Sequence, residues 1–236
     1  MTEANEQLIA AVRESLARRA DPAKAVTMRA YMKSEMPFLG VPGPQQEQVW
    51  REAFAAHPLG GFEEWRATVL RLWREARFRE ERYGAIVLTG DRRYRAFQTL
   101  EALPLYEELI ITGAWWDLVD AVAQHRIGGL LRRYPTPMRQ TVLAWSRSPD
   151  HWLRRTAILC QNRFGAATDR DLLYACIEPN LADLDFFIRK AIGWALREYA
   201  TVDPVEVRRY VQEHASALSP LSRREALKHL ADPAGS

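Results

Sequence analysis

The stretch TGAWWDLVDAV, residues 112–122, sets Trp115 and Trp116 beside Asp117 and Asp120 in an otherwise apolar segment. A carboxylate and the face of an indole both attract positive charge, so together they can steady a cation that is bound or that develops during a reaction. On a helix beginning near Trp115, Trp116 and Asp120 lie four residues apart and share a face, while Trp115, Val119 and Val122 occupy the adjoining face and pack inward. Asp117, in the first turn, reads as a partner of the helix dipole. Taken singly, Asp120 reads sooner as a solvated or ion-paired acid than as a catalytic one. A second aromatic landmark, Trp194, stands one turn from both Lys190 and Arg197 in FFIRKAIGWALREYA; alone, it reads as a core residue.

The cations follow a pattern of their own. HWLRRTAILCQNRF (151–164) aligns without gaps on FFIRKAIGWALREY (186–199) at an offset of 35, and PLSRREALKHL (220–230) follows with one residue less. The alignment puts Arg154-Arg155, Arg189-Lys190 and Arg223-Arg224 at equivalent points near the starts of successive helices. In stacked repeats, equivalent positions form a stripe on one face, so these pairs predict a ladder of cations suited to a phosphate backbone. A single basic pair would only mark a solvated helix face; three in register say more. Thirty-five residues before Arg155 lies Asp120, an acid where the later repeats hold a base.

Apolar spacing of three and four residues recurs along the chain, as in Leu8, Ile9, Val12 and Leu16, and strand-like alternation is scarce, so an all-α fold is expected. Breaks such as Pro22, the PFLGVPGP run, His57-Pro58, Gly90-Asp91, Tyr134-Pro135, Ser148-Pro149 and Asp203-Pro204 cut the chain into helices of about 10 to 17 residues. No long linker divides the 236 residues, which predicts one domain over 1–236. Residues 1–120 carry 16 Lys+Arg against 18 Asp+Glu, whereas 121–236 carry 17 against 12, so the basic half begins just after the tryptophan pair. No apolar run approaches the roughly 20 residues of a membrane span, and the start of the sequence lacks a signal-like apolar core, so a cytoplasmic protein is expected. Cys160, Cys176 and five scattered histidines offer no metal-ligand spacing, and neither a metal nor a cofactor is expected.

WWDLVD, WLRRTAIL, FFIRKAIGWALREYA and PLSRREALKH, with AYMK followed by FLGV near the start, resemble the bacterial DNA alkylation repair family of HEAT-like-repeat DNA glycosylases. The similarity runs from about residue 27 to about 230; residues 231–236 are expected to form a disordered tail. The resemblance implies a superhelical solenoid of HEAT-like repeats with a concave basic groove, acting as a monomer on double-stranded DNA. It implies excision of cationic alkylated purines, chiefly N3-methyladenine and N7-methylguanine, without extrusion of the base into a fitted pocket. Carried over by position, Asp120 is the catalytic carboxylate, Trp116 and Trp194 are aromatic walls against the lesion nucleotide, Arg155 is a backbone contact and Tyr31 is a further cleft residue.

The chemistry is consistent with that assignment. A purine alkylated at N3 or N7 already carries positive charge and leaves as a neutral base without protonation. The difficulty moves to the sugar, where an oxocarbenium-like centre develops that a fixed carboxylate can stabilise while orienting water. Two other readings fit the same helices: a helical-repeat scaffold that binds peptides, and a damaged-DNA binder that does not cleave.

Overall fold

The computed structural model describes residues 3–230. Fourteen α-helices and several short 3-10 turns account for the regular structure, and no strand occurs among the described residues. The expected tail, 231–236, lies outside them. The chain forms two compact units, one ending at Leu105 and the other beginning at Tyr106.

In the first unit, α1 (Glu6–Arg18) buries Leu8, Ile9, Val12 and Leu16, the four residues whose spacing predicted it. It packs against α3 (Gly43–Ala56), α4 (Phe62–Arg74) and α5 (Arg79–Thr89) around Trp65 and Trp73, both fully buried. The FLGV segment is held from α5, where the buried Glu80 carboxylate accepts N–H bonds from Leu39, Gly40 and Val41 at 3.0, 2.9 and 3.2 Å. Gly40 is required there: its φ is +83° and a Cβ would stand 2.1 Å from the Asp21 carbonyl oxygen. By contrast, α2 (Pro22–Met32) buries none of its residues.

The second unit is built on the repeat. Helices α7 (Trp116–Val122), α10 (His151–Leu159), α12 (Phe186–Ala200) and α14 (Pro220–Leu227) begin 35, 35 and 34 residues apart and pack in that order, each on the next. The starts of α10, α12 and α14 share a local cause, which α7 lacks. Asp150, Asp185 and Ser219 each accept a hydrogen bond from the backbone N–H three residues on, satisfying donors the first turn cannot. Between these lie α8 (Gly128–Arg133), α9 (Pro135–Trp145), α11 (Arg170–Ile177) and α13 (Pro204–Glu213). The core they share includes Ile158, Leu173, Ile177, Ile188, Ile192, Leu196, Val207 and Tyr210, each worth about 1.5–3 kcal/mol if a side chain of its size passes fully from water to the interior.

Two local features bear on the site. A single π-helical turn, Ala123–Ile127, joins α7 directly to α8, which is why both are shorter than the spacing of breaks predicts. At the other end, α12 and α14 come together at Gly193, where a Cβ would stand 2.5 Å from Glu225 Cβ and 2.8 Å from the Ser222 carbonyl oxygen. A glycine is what lets the backbones approach that closely.

Candidate active site

The second unit contains a cleft of about 390 Å³ between α7, α10, α12 and α14. Trp116 opens α7, preceded by Trp115 as the N-cap and by Ala114, whose φ of +44° turns the chain out of α6 (Leu103–Gly113). Trp115 meets Phe187 edge-on, with ring centroids 5.5 Å apart, and serves packing as its side of the helix predicts. Trp116 is half-buried and lines the cleft with Asp120, one turn along the same face. Opposite, α12 contributes Lys190, Trp194 and Arg197 at i, i+4 and i+7, so the indole stands between two cations. The Trp194 Nε1–H donates to Glu198 Oε1 at 2.9 Å, which fixes the ring's orientation.

Asp120 is only 7 % exposed and Arg155 4 %. Arg155 donates from Nε to Asp120 Oδ1 at 2.7 Å and from Nη2 to Oδ2 at 2.8 Å, while its Nη1 donates to the Phe187 carbonyl. Burial pushes the Asp120 carboxyl above the ordinary carboxylate range, and the Arg155 guanidinium works against that shift. The acid is therefore fixed in place by a two-point grip.

Three of the six cations in the expected ladder are neutralised by acids, and a fourth is held by a backbone carbonyl. Arg155 is tied to Asp120, and Arg154 is held by Asp183 at 2.9 Å and by the carbonyls of Ser148 and Pro149. Arg189 donates to the Asp183 carbonyl, and Lys190 pairs with Glu225 at 2.9 Å. The reason is energetic: cations this close to the packed interior are costly unless they find a partner. Arg223 and Arg224 differ. They have no acidic partner among the described residues and, with Arg208, line a separate groove of about 540 Å³. The structure thus brings Trp116, Asp120, Arg155, Lys190 and Trp194 into one cleft and puts Arg154, Arg189, Arg223 and Arg224 outside its lining. Tyr31 sits on α2 in the first unit and is 80 % exposed, so it is not a core aromatic.

Phe186, Phe187 and Glu225 also line the cleft and were not singled out from sequence. For Glu225 the repeat offers no direct signal. One register position carries Asp120, Arg155, Lys190 and Arg224 on α7, α10, α12 and α14, because the last step is 34, and Glu225 stands one residue beyond it. Asp120 pairs with Arg155 along this register, and Glu225 pairs with Lys190 from beside it.

A family model described as DNA alkylation repair enzyme matches residues 12–230. The chain belongs to this family. A solved structure from Enterococcus faecalis, described as a predicted DNA alkylation repair enzyme, superposes with a TM-score of 0.82 at 29 % identity, covering 91 % of this chain and 98 % of that one. Comparison with curated protein sequences gives no match. Membership supports an enzyme of alkylation damage repair whose substrate is DNA, built as the helical-repeat fold that the 35-residue step announces. No helix among the described residues is long and apolar enough to cross a membrane, and none of their His, Cys, Asp and Glu side chains cluster in threes as a metal site would require.

Proposed function

We propose that the chain is a DNA glycosylase that hydrolyses the N-glycosidic bond of cationic alkylated purines such as N3-methyladenine and N7-methylguanine in duplex DNA. The observation that carries the reading is the fixed Asp120 carboxylate in the wall of a cleft that also holds the faces of Trp116 and Trp194. In the proposed step the C1′–N bond breaks, its electron pair leaves with the purine and neutralises it, and water adds to C1′ while its proton passes to solvent. Positive charge gathers on the sugar as this happens. Asp120 stabilises that charge and orients the water, and the indoles attract the cation and pack on the deoxyribose.

The ion pair sets the scale. A lone carboxylate at about 4 Å and an effective dielectric near 20 would contribute roughly 4 kcal/mol, or about a thousandfold in rate. With Arg155 bound to both oxygens, the sugar meets the near end of a dipole, and the gain is smaller. In exchange, the carboxylate is already aimed before DNA arrives. Arg155 is accordingly proposed to position Asp120, and its share in phosphate contact, expected from the sequence, is small. Arg223 and Arg224 are proposed as phosphate contacts; Arg154, Arg189 and Lys190 join them only where DNA phosphate replaces their present partners. Tyr31 is proposed as a DNA-facing aromatic.

The ion pair would equally suit a damaged-DNA binder that does not cleave, and one experiment separates the two. Methylated duplex DNA is incubated with the purified protein, with and without chelator, and the released bases are resolved by chromatography. Release of methylpurines in both samples supports the glycosylase; tight binding with no release establishes the binder.

A further inference from the structure

Glu225 is the second acid of the cleft, and it faces two cations at once. Its Oε1 accepts Lys190 Nζ at 2.9 Å and its Oε2 accepts Arg197 Nη1 at 2.7 Å. These cations flank Trp194 on one face of α12, and Glu225 reaches them from α14 because Gly193 allows the two helices to close together. Lys190 and Arg197 hold the Glu225 carboxyl below the ordinary carboxylate range. Arg197 retains one carboxylate oxygen, Lys190 the other, and the side chain of Lys190 is still 37 % exposed.

Such a cleft has two demands of opposite sign. Gripping DNA favours positive charge, whereas stabilising a cationic lesion and its departing sugar requires that nearby positive charge be restrained. Counting Asp120, Arg155, Lys190, Arg197 and Glu225, the cleft carries a net charge of +1; without Glu225 it would carry +2. We infer that Glu225 is a specificity-determining counter-charge, which restrains Lys190 and Arg197 beside the reacting nucleotide and so trades DNA affinity for rate on cationic substrates. It acts through those two cations and not on the reacting atoms. This inference rests on the glycosylase reading.

Two readouts test it: the slope of log binding constant against log salt on methylated duplex DNA, and the single-turnover rate of base release. In Glu225→Gln, the two freed cations are expected to steepen the slope by up to about two units, tighten binding and slow release by about tenfold. Glu225→Asp, which keeps the charge, is expected to restore most of the rate. The double variant Glu225→Gln/Arg197→Gln, which frees Lys190 alone and returns the cleft to a net charge of +1, is expected to steepen the slope by about one unit and to recover part of the rate. That arm decides the matter even if Glu225→Gln melts too low to assay. Loss of both affinity and rate in Glu225→Gln, or slopes in both variants that match the wild type, would overturn the inference and leave Glu225 as a helix-packing anchor. Failure of the wild-type protein to release base would instead overturn the glycosylase reading, and the salt slopes would still report whether Glu225 restrains the cations.

Discussion

Arg155 holds both oxygens of Asp120 across a 35-residue step, at 2.7 and 2.8 Å, in a position almost closed to solvent. The acid proposed to meet the sugar cation is thus also the acid that neutralises a buried guanidinium, and its two roles can be pulled apart.

Asp120→Asn keeps an acceptor for one Arg155 N–H and removes the negative charge. The variant is expected to retain its helical circular-dichroism spectrum and to lose base release by about a hundredfold or more. Wild-type rates in a folded Asn variant would remove Asp120 from the chemistry.

Replacing the other partner gives a signature in pH. Burial and the nearby Asp117 push the Asp120 carboxyl up, and Arg155 pulls it down, so Arg155→Met is expected to raise it further. Release needs the ionised form, so the acidic limb of the pH–rate profile should move to higher pH in the variant. Stability follows the same sign. A folded-state pKa above the unfolded one favours folding at low pH and loses that contribution as pH rises through it, so the melting deficit of Arg155→Met should shrink on acidification. At neutral pH the uncompensated carboxylate should cost about 3–5 kcal/mol. A deficit that stays constant between neutral pH and pH 4 would contradict this.

The arginines should sort by their present partners. Arg224→Ala removes a cation with no acidic partner among the described residues and is expected to lower the salt slope of DNA binding by about one unit. Arg154→Ala removes one already held by Asp183 and two carbonyls and is expected to change the slope little. Equal slopes for the two variants would show that ion pairing does not decide which residues touch phosphate.

Gly193→Ala drives a methyl group against Glu225 Cβ and the Ser222 carbonyl. The expected loss is about 1–3 kcal/mol, seen as a fall of several degrees in melting temperature. A variant as stable as the wild type would mean that α12 and α14 can separate without cost.

Much of this architecture is legible in the residues because its causes are local. Asp150, Asp185 and Ser219 start their helices by bonds spanning three residues, and Trp116 with Asp120 share a face by helical geometry alone. What sequence reading missed depends on packing between helices. Arg155 reads as a surface cation until α7 and α10 are seen side by side, and Glu225 stands one residue past the repeat register, so only the packing of α14 on α12 brings it to Lys190. The left-handed Ala114 and the π turn at Ala123–Ile127 have no recognisable residue signature, since neither contains the glycine or proline that usually announces a break. Tyr31 could be assigned to the surface only once α2 proved to bury nothing.

The π turn behaves as a one-residue insertion, and its consequence is rotational phase. Before it, Trp116 and Asp120 face the cleft; after it, Gly128 backs onto the Cys160 carbonyl, which a Cβ would approach to 2.5 Å. A regular helix through the same residues would turn everything beyond Ile127 by about 100° relative to the tryptophan and its acid. The extra residue lets one continuous rod satisfy two differently oriented surfaces, so the chemistry at its start and the packing at its end need not share a register.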